Sequence, residues 1–102
     1  MEHRWGERRT LSLPVQLRVN GGRVLQGWLR DVSVSGCRVE LAMACDGALH
    51  QPVEVLLPHR PGQLQRQALA GQVARHDGTT WGIEWNDLAP EALGFWSGQH
   101  AA

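Results

Sequence analysis

Apolar residues recur along this chain with a period of two rather than 3.6. Leu11, Leu13, Val15, Leu17 and Val19 alternate with polar or small residues. That pattern predicts a half-buried strand, because successive side chains of a strand point to opposite faces. Asn20-Gly21-Gly22 follows, and Asn-Gly signals a hairpin because the tight turn needs positive φ. The return strand covers residues 24–32, with Val24, Gln26, Trp28 and Arg30 on one face and Leu25, Gly27, Leu29 and Asp31 on the other. After a break at 33–36, Cys37, Val39 and Leu41 alternate with Arg38, Glu40 and Ala42. A turn-rich stretch then leads to a fourth strand at 53–57, which Pro58 stops. Residues 59–65 contain Pro61-Gly62 and form a loop. Two further strands, 69–75 and 81–85, are joined across Asp77-Gly78. Residues 87–97 suit a helix: Asp87 serves as N-cap, and Leu88, Ala92, Phe95 and Trp96 share a face.

Six short strands and one closing helix predict an all-β fold, a small six-stranded antiparallel β-barrel with a C-terminal α-helix. Closure removes the unpaired edges that invite aggregation. Residues 1–10 show neither period and are expected to form a flexible N-terminal arm, leaving residues 11–102 for the barrel and its helix. A chain of 102 residues is the size of one domain.

Composition first excludes a globally basic nucleic-acid binder, since ten basic residues balance ten acidic ones. The zero conceals an asymmetry. Every cation is arginine, and residues 1–38 hold seven of them against Glu2, Glu7 and Asp31, a balance of +4. Residues 39–102 hold Arg60, Arg66 and Arg75 against seven acids, a balance of −4. Such a distribution suits one local anionic partner better than a long nucleic-acid track, and no DNA or RNA partner is expected. Cys37 and Cys45 have neither metal-site nor redox spacing, and the five histidines make no i, i+4 pair on a helix. No metal, cofactor or membrane segment is therefore expected. Without an apolar run in MEHRWGERR, no secretory signal is expected either, and the placement expected is cytoplasmic.

Two features lie outside the needs of a barrel. The arm carries Arg4-Trp5-Gly6-Glu7-Arg8, an R-x-x-x-R pattern, with Arg9 directly after. The second strand ends in Asp31-Val32-Ser33-Val34-Ser35-Gly36, a D-x-S-x-x-G pattern 23 residues beyond Arg8. Since a hairpin brings the start of its first strand beside the end of its second, the two patterns should meet at one edge of the barrel.

In this order, with Pro14 in the first strand and Cys37-Arg38-Val39-Glu40 after the turn, the two patterns resemble a PilZ domain. The segments Val73-Ala74-Arg75 and Gly82-Ile83-Glu84-Trp85 are similar to the final strand pair of that family. The resemblance covers nearly the whole chain. It implies a bacterial module that binds the second messenger cyclic di-GMP and signals through a conformational change to a downstream protein partner. It also implies that Arg4, Arg8, Asp31, Ser33 and Gly36 are the ligand-binding positions, with Arg9 as an extra contact. The alternative is a PilZ-like interaction module, of pilus or flagellar machinery, that does not bind the nucleotide.

The chemistry of these residue types agrees with the first possibility. Cyclic di-GMP carries two phosphodiester charges and two guanines whose O6 and N7 acceptors match an Arg fork. Guanidinium planes also stack on purines, a reason for Arg rather than Lys. Arg4 and Arg8 in an extended arm lie about 13 Å apart at ~3.3 Å per residue. Asp31 suits the guanine N1–H and N2–H donors, and Ser33 suits a phosphate or base edge. Gly36 is expected to supply a positive-φ turn and room for ligand. Trp81 is a candidate rim residue that stacks on a guanine, with partial burial as the alternative. No Ser-His-Asp arrangement, paired carboxylates or phosphate-cradling Gly loop is present, so no catalytic residue is expected.

Overall fold

The alternating segments all become strands. They are β1 (Arg9–Val19), β2 (Arg23–Val32), β3 (Gly36–Leu41), β4 (Pro52–Leu56), β5 (Ala68–Asp77) and β6 (Thr80–Trp85). The computed structural model describes residues 9–19, 22–45, 47, 49–59, 61–62 and 67–86, with the backbone alone for 9–11. The strands are antiparallel neighbours in the order β1-β2-β3-β6-β5-β4, and β4 returns to β1 to close the barrel. The helix expected over 87–97 lies outside the described residues.

Alternation sorts the side chains as the period of two requires. Val15, Leu17 and Val19 of β1 point inward to meet Leu29 and Val32 of β2, then Cys37, Val39 and Leu41 of β3. Val53 and Val55 of β4, Leu69 and Val73 of β5, and Trp81, Ile83 and Trp85 of β6 complete the core. Arg18, Gln26, Trp28 and Arg38 lie on the outer face. Pro52 opens β4, where a missing N–H is best tolerated.

Two boundaries differ from the sequence pattern. β1 starts at Arg9, ahead of the hydrophobic alternation, because Arg9 and Thr10 find partners in Val32 and Asp31. Asp77 pairs with Thr80, so Gly78 and Thr79 make the β5–β6 turn rather than Asp77 and Gly78. Gly78 has φ of 62°, the first-position glycine of a type II′ turn, whose twist matches that of the flanking strands.

Candidate functional site

Two breaks in the alternation build one face of the barrel. Across β2 and β3, Leu29 pairs with Val39 but Asp31 pairs with Arg38, so Arg30 is an extra residue. Strict alternation would carry Asp31 inward behind Leu29. The bulge turns it outward instead, as bulges beside functional surfaces commonly do. Across β5 and β6, Val73 pairs with Ile83 while Arg75 pairs with Gly82, so Ala74 is extra and Arg75 is turned outward in the same way. Thr10, Asp31, Arg38, Gly82 and Arg75 consequently form one row across five strands.

Asp31 is drawn into this surface, with its side chain only 7% exposed. Arg38 Nε donates to its Oδ2 at 2.8 Å, while the Arg38 side chain remains 52% exposed. A carboxylate so enclosed requires such a partner, since burying an unpaired charge is costly. Arg30, the bulge residue, is itself held from both sides: Nε donates to Glu40 Oε1 at 2.9 Å and Nη1 to Ser12 Oγ at 2.9 Å.

The 33–36 turn is pinned from within and from behind. The Ser33 N–H donates to the Gly36 carbonyl at 2.8 Å. Ser33 is 1% exposed, and its hydroxyl lies 3.1 Å from Ser35 Oγ and accepts the Ser35 N–H at 3.3 Å. This local side-chain-to-backbone bonding explains a serine at the start of a turn. Behind it, Trp85 Nε1–H donates to the Ser33 carbonyl at 3.0 Å, and the Trp85 N–H to the Ser35 carbonyl at 2.9 Å. Gly36 is demanded by close approach. A Cβ there would lie 2.2 Å from the Ile83 carbonyl oxygen.

Together the row and the turn line an open groove of about 820 Å³ on the outside of β3, β6 and β5, within the ~300–1,000 Å³ range of small-molecule sites. Asp31, Ser35, Gly36, Arg38, Arg75 and Gly82 contribute to it, and Asp77, Thr80 and Glu84 complete its polar rim. Its described side chains carry three carboxylates against two guanidiniums, so the groove alone does not favour a dianion. Thr10 pairs with Asp31 and Arg9 with Val32, so the Arg-rich stretch joins the fold at this edge.

A family model described as the PilZ domain matches residues 2–94. The chain belongs to the PilZ domain family. Among solved structures, the chain is similar to the PilZ domain of CeSA from a cellulose synthesizing bacterium, with 18% sequence identity and a TM-score of 0.67. That match covers 79% of this chain and 81% of the other, and at this identity it supports the shared fold alone. A comparison with curated proteins gives no match. PilZ domains are a family of binding and effector modules known for cyclic di-GMP, rather than catalysts.

In this PilZ domain the D-x-S-x-x-G residues are divided in their roles. Asp31 and Gly36 line the groove, whereas Ser33 faces inward to shape the turn, and Ser35 is the serine on the lining. Gly36 was expected to supply a positive φ, but its φ is not positive; the close approach of β6 is what requires glycine. Trp81 also departs from expectation. It is 0% exposed, because its strand position faces the barrel interior and the Gly47 backbone lies against its indole, where a Cβ would sit 2.6 Å from Cζ2. No face of this ring is available for stacking on a ligand. Arg4 and Arg8 lie outside the described residues, and Arg9 is placed by its backbone only.

Arg38, Arg75 and Gly82 are among the groove residues that the sequence did not mark as ligand-binding. One signal was present for the first, since Arg38 stands two residues from Gly36 and so shares its face. For Arg75, the signal was a charge two residues after Val73, at an inward position of a strand. A strand that keeps a charge in core register calls for a bulge.

Proposed function

We propose that this PilZ domain is a cyclic di-GMP receptor that binds its ligand in the groove over β3, β6 and β5, with the N-terminal arm closing over it. The pairing of Thr10 with Asp31 carries this proposal. It brings Thr10, two residues after R-x-x-x-R in the chain, against the acidic position of D-x-S-x-x-G, which supports a site built from both halves of the family pattern.

In this arrangement Arg4, Arg8 and Arg9 supply the positive charge that the groove lacks, through forked bonds to phosphodiester or guanine acceptors. Asp31 accepts from guanine N1–H and N2–H. A carboxylate has about four acceptor positions, so this is compatible with its bond to Arg38 Nε. Ser33 acts through the turn that it holds. Ordering an arm consumes a few kcal/mol of the gross interaction energy, and the closed arm is the change that a downstream protein partner reads. Ligand shifts the arm only by its preference for the closed state.

Titration calorimetry with cyclic di-GMP tests the proposal, and absence of binding at tens of micromolar ligand overturns it. Arg4→Ala and Arg8→Ala are each expected to weaken binding by about 1–3 kcal/mol, as for lost hydrogen bonds to a charged group. Asp31→Ala should weaken the guanine dinucleotide more than its adenine analogue.

A further inference from the structure

The arginines of this barrel are not equally occupied. Arg18 meets Glu54 at 3.4 Å, Arg23 donates to Cys45 Sγ at 3.2 Å, Arg30 is held by Glu40 and Ser12, and Arg38 by Asp31. Among the arginine side chains described, Arg75 is the one with neither an ion pair nor a hydrogen bond. It is nevertheless placed with care. The bulge at Ala74 turns it onto the groove face opposite Gly82. A Cβ on Gly82 would meet Arg75 Cγ at 3.0 Å, Cδ at 3.7 Å and Nε at 3.8 Å. The aliphatic stem thus lies along the bare glycine backbone, as long cationic side chains do when they cover a surface and leave the charged head in water.

The charges of the groove single out the same residue. Asp31 and Arg38 form an ion pair, whereas Glu84 accepts from the neutral Gln72 Nε2 at 3.2 Å and keeps its charge. Asp77, two residues along β5, is the other acid of the lining outside the Asp31–Arg38 pair. Of the two described cations of the groove, Arg75 is the one outside an ion pair, and it stands at the β5 wall, across Gly82 from Arg38.

We infer that Arg75 is a ligand-binding residue, taking a phosphodiester of the dinucleotide at the β5 wall, and that Gly82 is the seat that keeps its guanidinium over the groove. This rests on the function proposed above and adds a contact at the β5 wall of the groove. A guanidinium with no structural partner loses nothing internal by engaging a ligand, whereas Arg38 must remain with buried Asp31.

Calorimetry on the full chain with cyclic di-GMP, for wild type, Arg75→Ala and Arg75→Lys, tests this. Arg75→Ala is expected to lower affinity by about 10-fold or more, the loss of one charge-assisted hydrogen bond. Its melting temperature should stay close to wild type, since the guanidinium holds nothing in the fold and only the stem's exposed contact with Gly82 is lost. Arg75→Lys should recover part of the affinity. The gap between wild type and Arg75→Ala should narrow at high salt, where screening weakens an exposed ionic contact. Gly82→Ala should lower affinity in the wild-type background and much less in the Arg75→Ala background. Wild-type binding with unchanged affinity in Arg75→Ala overturns the inference and leaves the proposed function standing. A loss that is insensitive to salt and not restored by lysine also overturns it. Absence of binding by wild type overturns both.

Discussion

Gly36→Ala puts a methyl group where β3 and β6 touch. The added Cβ would stand 2.2 Å from the Ile83 carbonyl oxygen and 3.2 Å from Glu84 Cα. Both neighbours are backbone, so relief requires the strands to separate rather than one side chain to rotate. Overpacking of this kind costs about 1–3 kcal/mol. The strand pairing at Gly36 and Glu84, and the Trp85-to-Ser35 bond beside it at 2.9 Å, weaken as the gap opens, at about 1 kcal/mol per hydrogen bond. A total of about 3 kcal/mol is expected, against about 5–15 kcal/mol for a whole domain. The melting temperature should then fall by roughly 12–24 °C, at ~4–8 °C per kcal/mol for a domain of this size. Gly22→Ala is the control. A Cβ there meets nothing within 4 Å, so its effect should stay within about 1 kcal/mol. Thermal unfolding followed by circular dichroism decides the matter. If Gly36→Ala melts within about 4 °C of Gly22→Ala, close approach is not what demands glycine at the head of β3.

Two tryptophans separate burial from bonding. Trp85 Nε1 is bonded to Ser33, whereas the fully buried Trp81 Nε1 has no hydrogen-bond partner. Trp85→Phe should therefore be more destabilising in urea than Trp81→Phe by about 1–2 kcal/mol, because an unpaired buried N–H is itself a cost; the reverse order would refute this. Arg38→Ala deprives buried Asp31 of its ion-pair donor and should cost about 1–3 kcal/mol at neutral pH. A double-mutant cycle with Asp31→Asn should return a coupling near that size, and additivity would show that the pair is not cooperative.

The strand count, the strand positions and the inward sets were legible because alternation is a local property. Val15, Leu17 and Val19, or Trp81, Ile83 and Trp85, declare a buried face without reference to any partner strand. The meeting of the start of β1 with the end of β2 was legible as well, since a hairpin imposes it: Thr10 opposite Asp31 follows once the two strands pair. Trp81 shows the limit. Its position after a turn suggests a rim, yet its inward parity, shared with Ile83 and Trp85, already assigned it to the core.

An all-β chain of six alternating strands, its hairpins, and the pair of Arg and Asp-Ser-Gly patterns that mark a PilZ domain are all set by local sequence. These depend on side-chain period, turn chemistry and residue type, all readable within a few neighbouring positions. Which residues share the groove is settled by strand pairing in three dimensions. Register shifts at Arg30 and Ala74 turn Asp31 and Arg75 from the inner face to the outer one, and a shift in register is a relation between two strands that neither carries alone. The same holds for Gly36, whose need for glycine comes from the carbonyl of Ile83, 47 residues away in the chain.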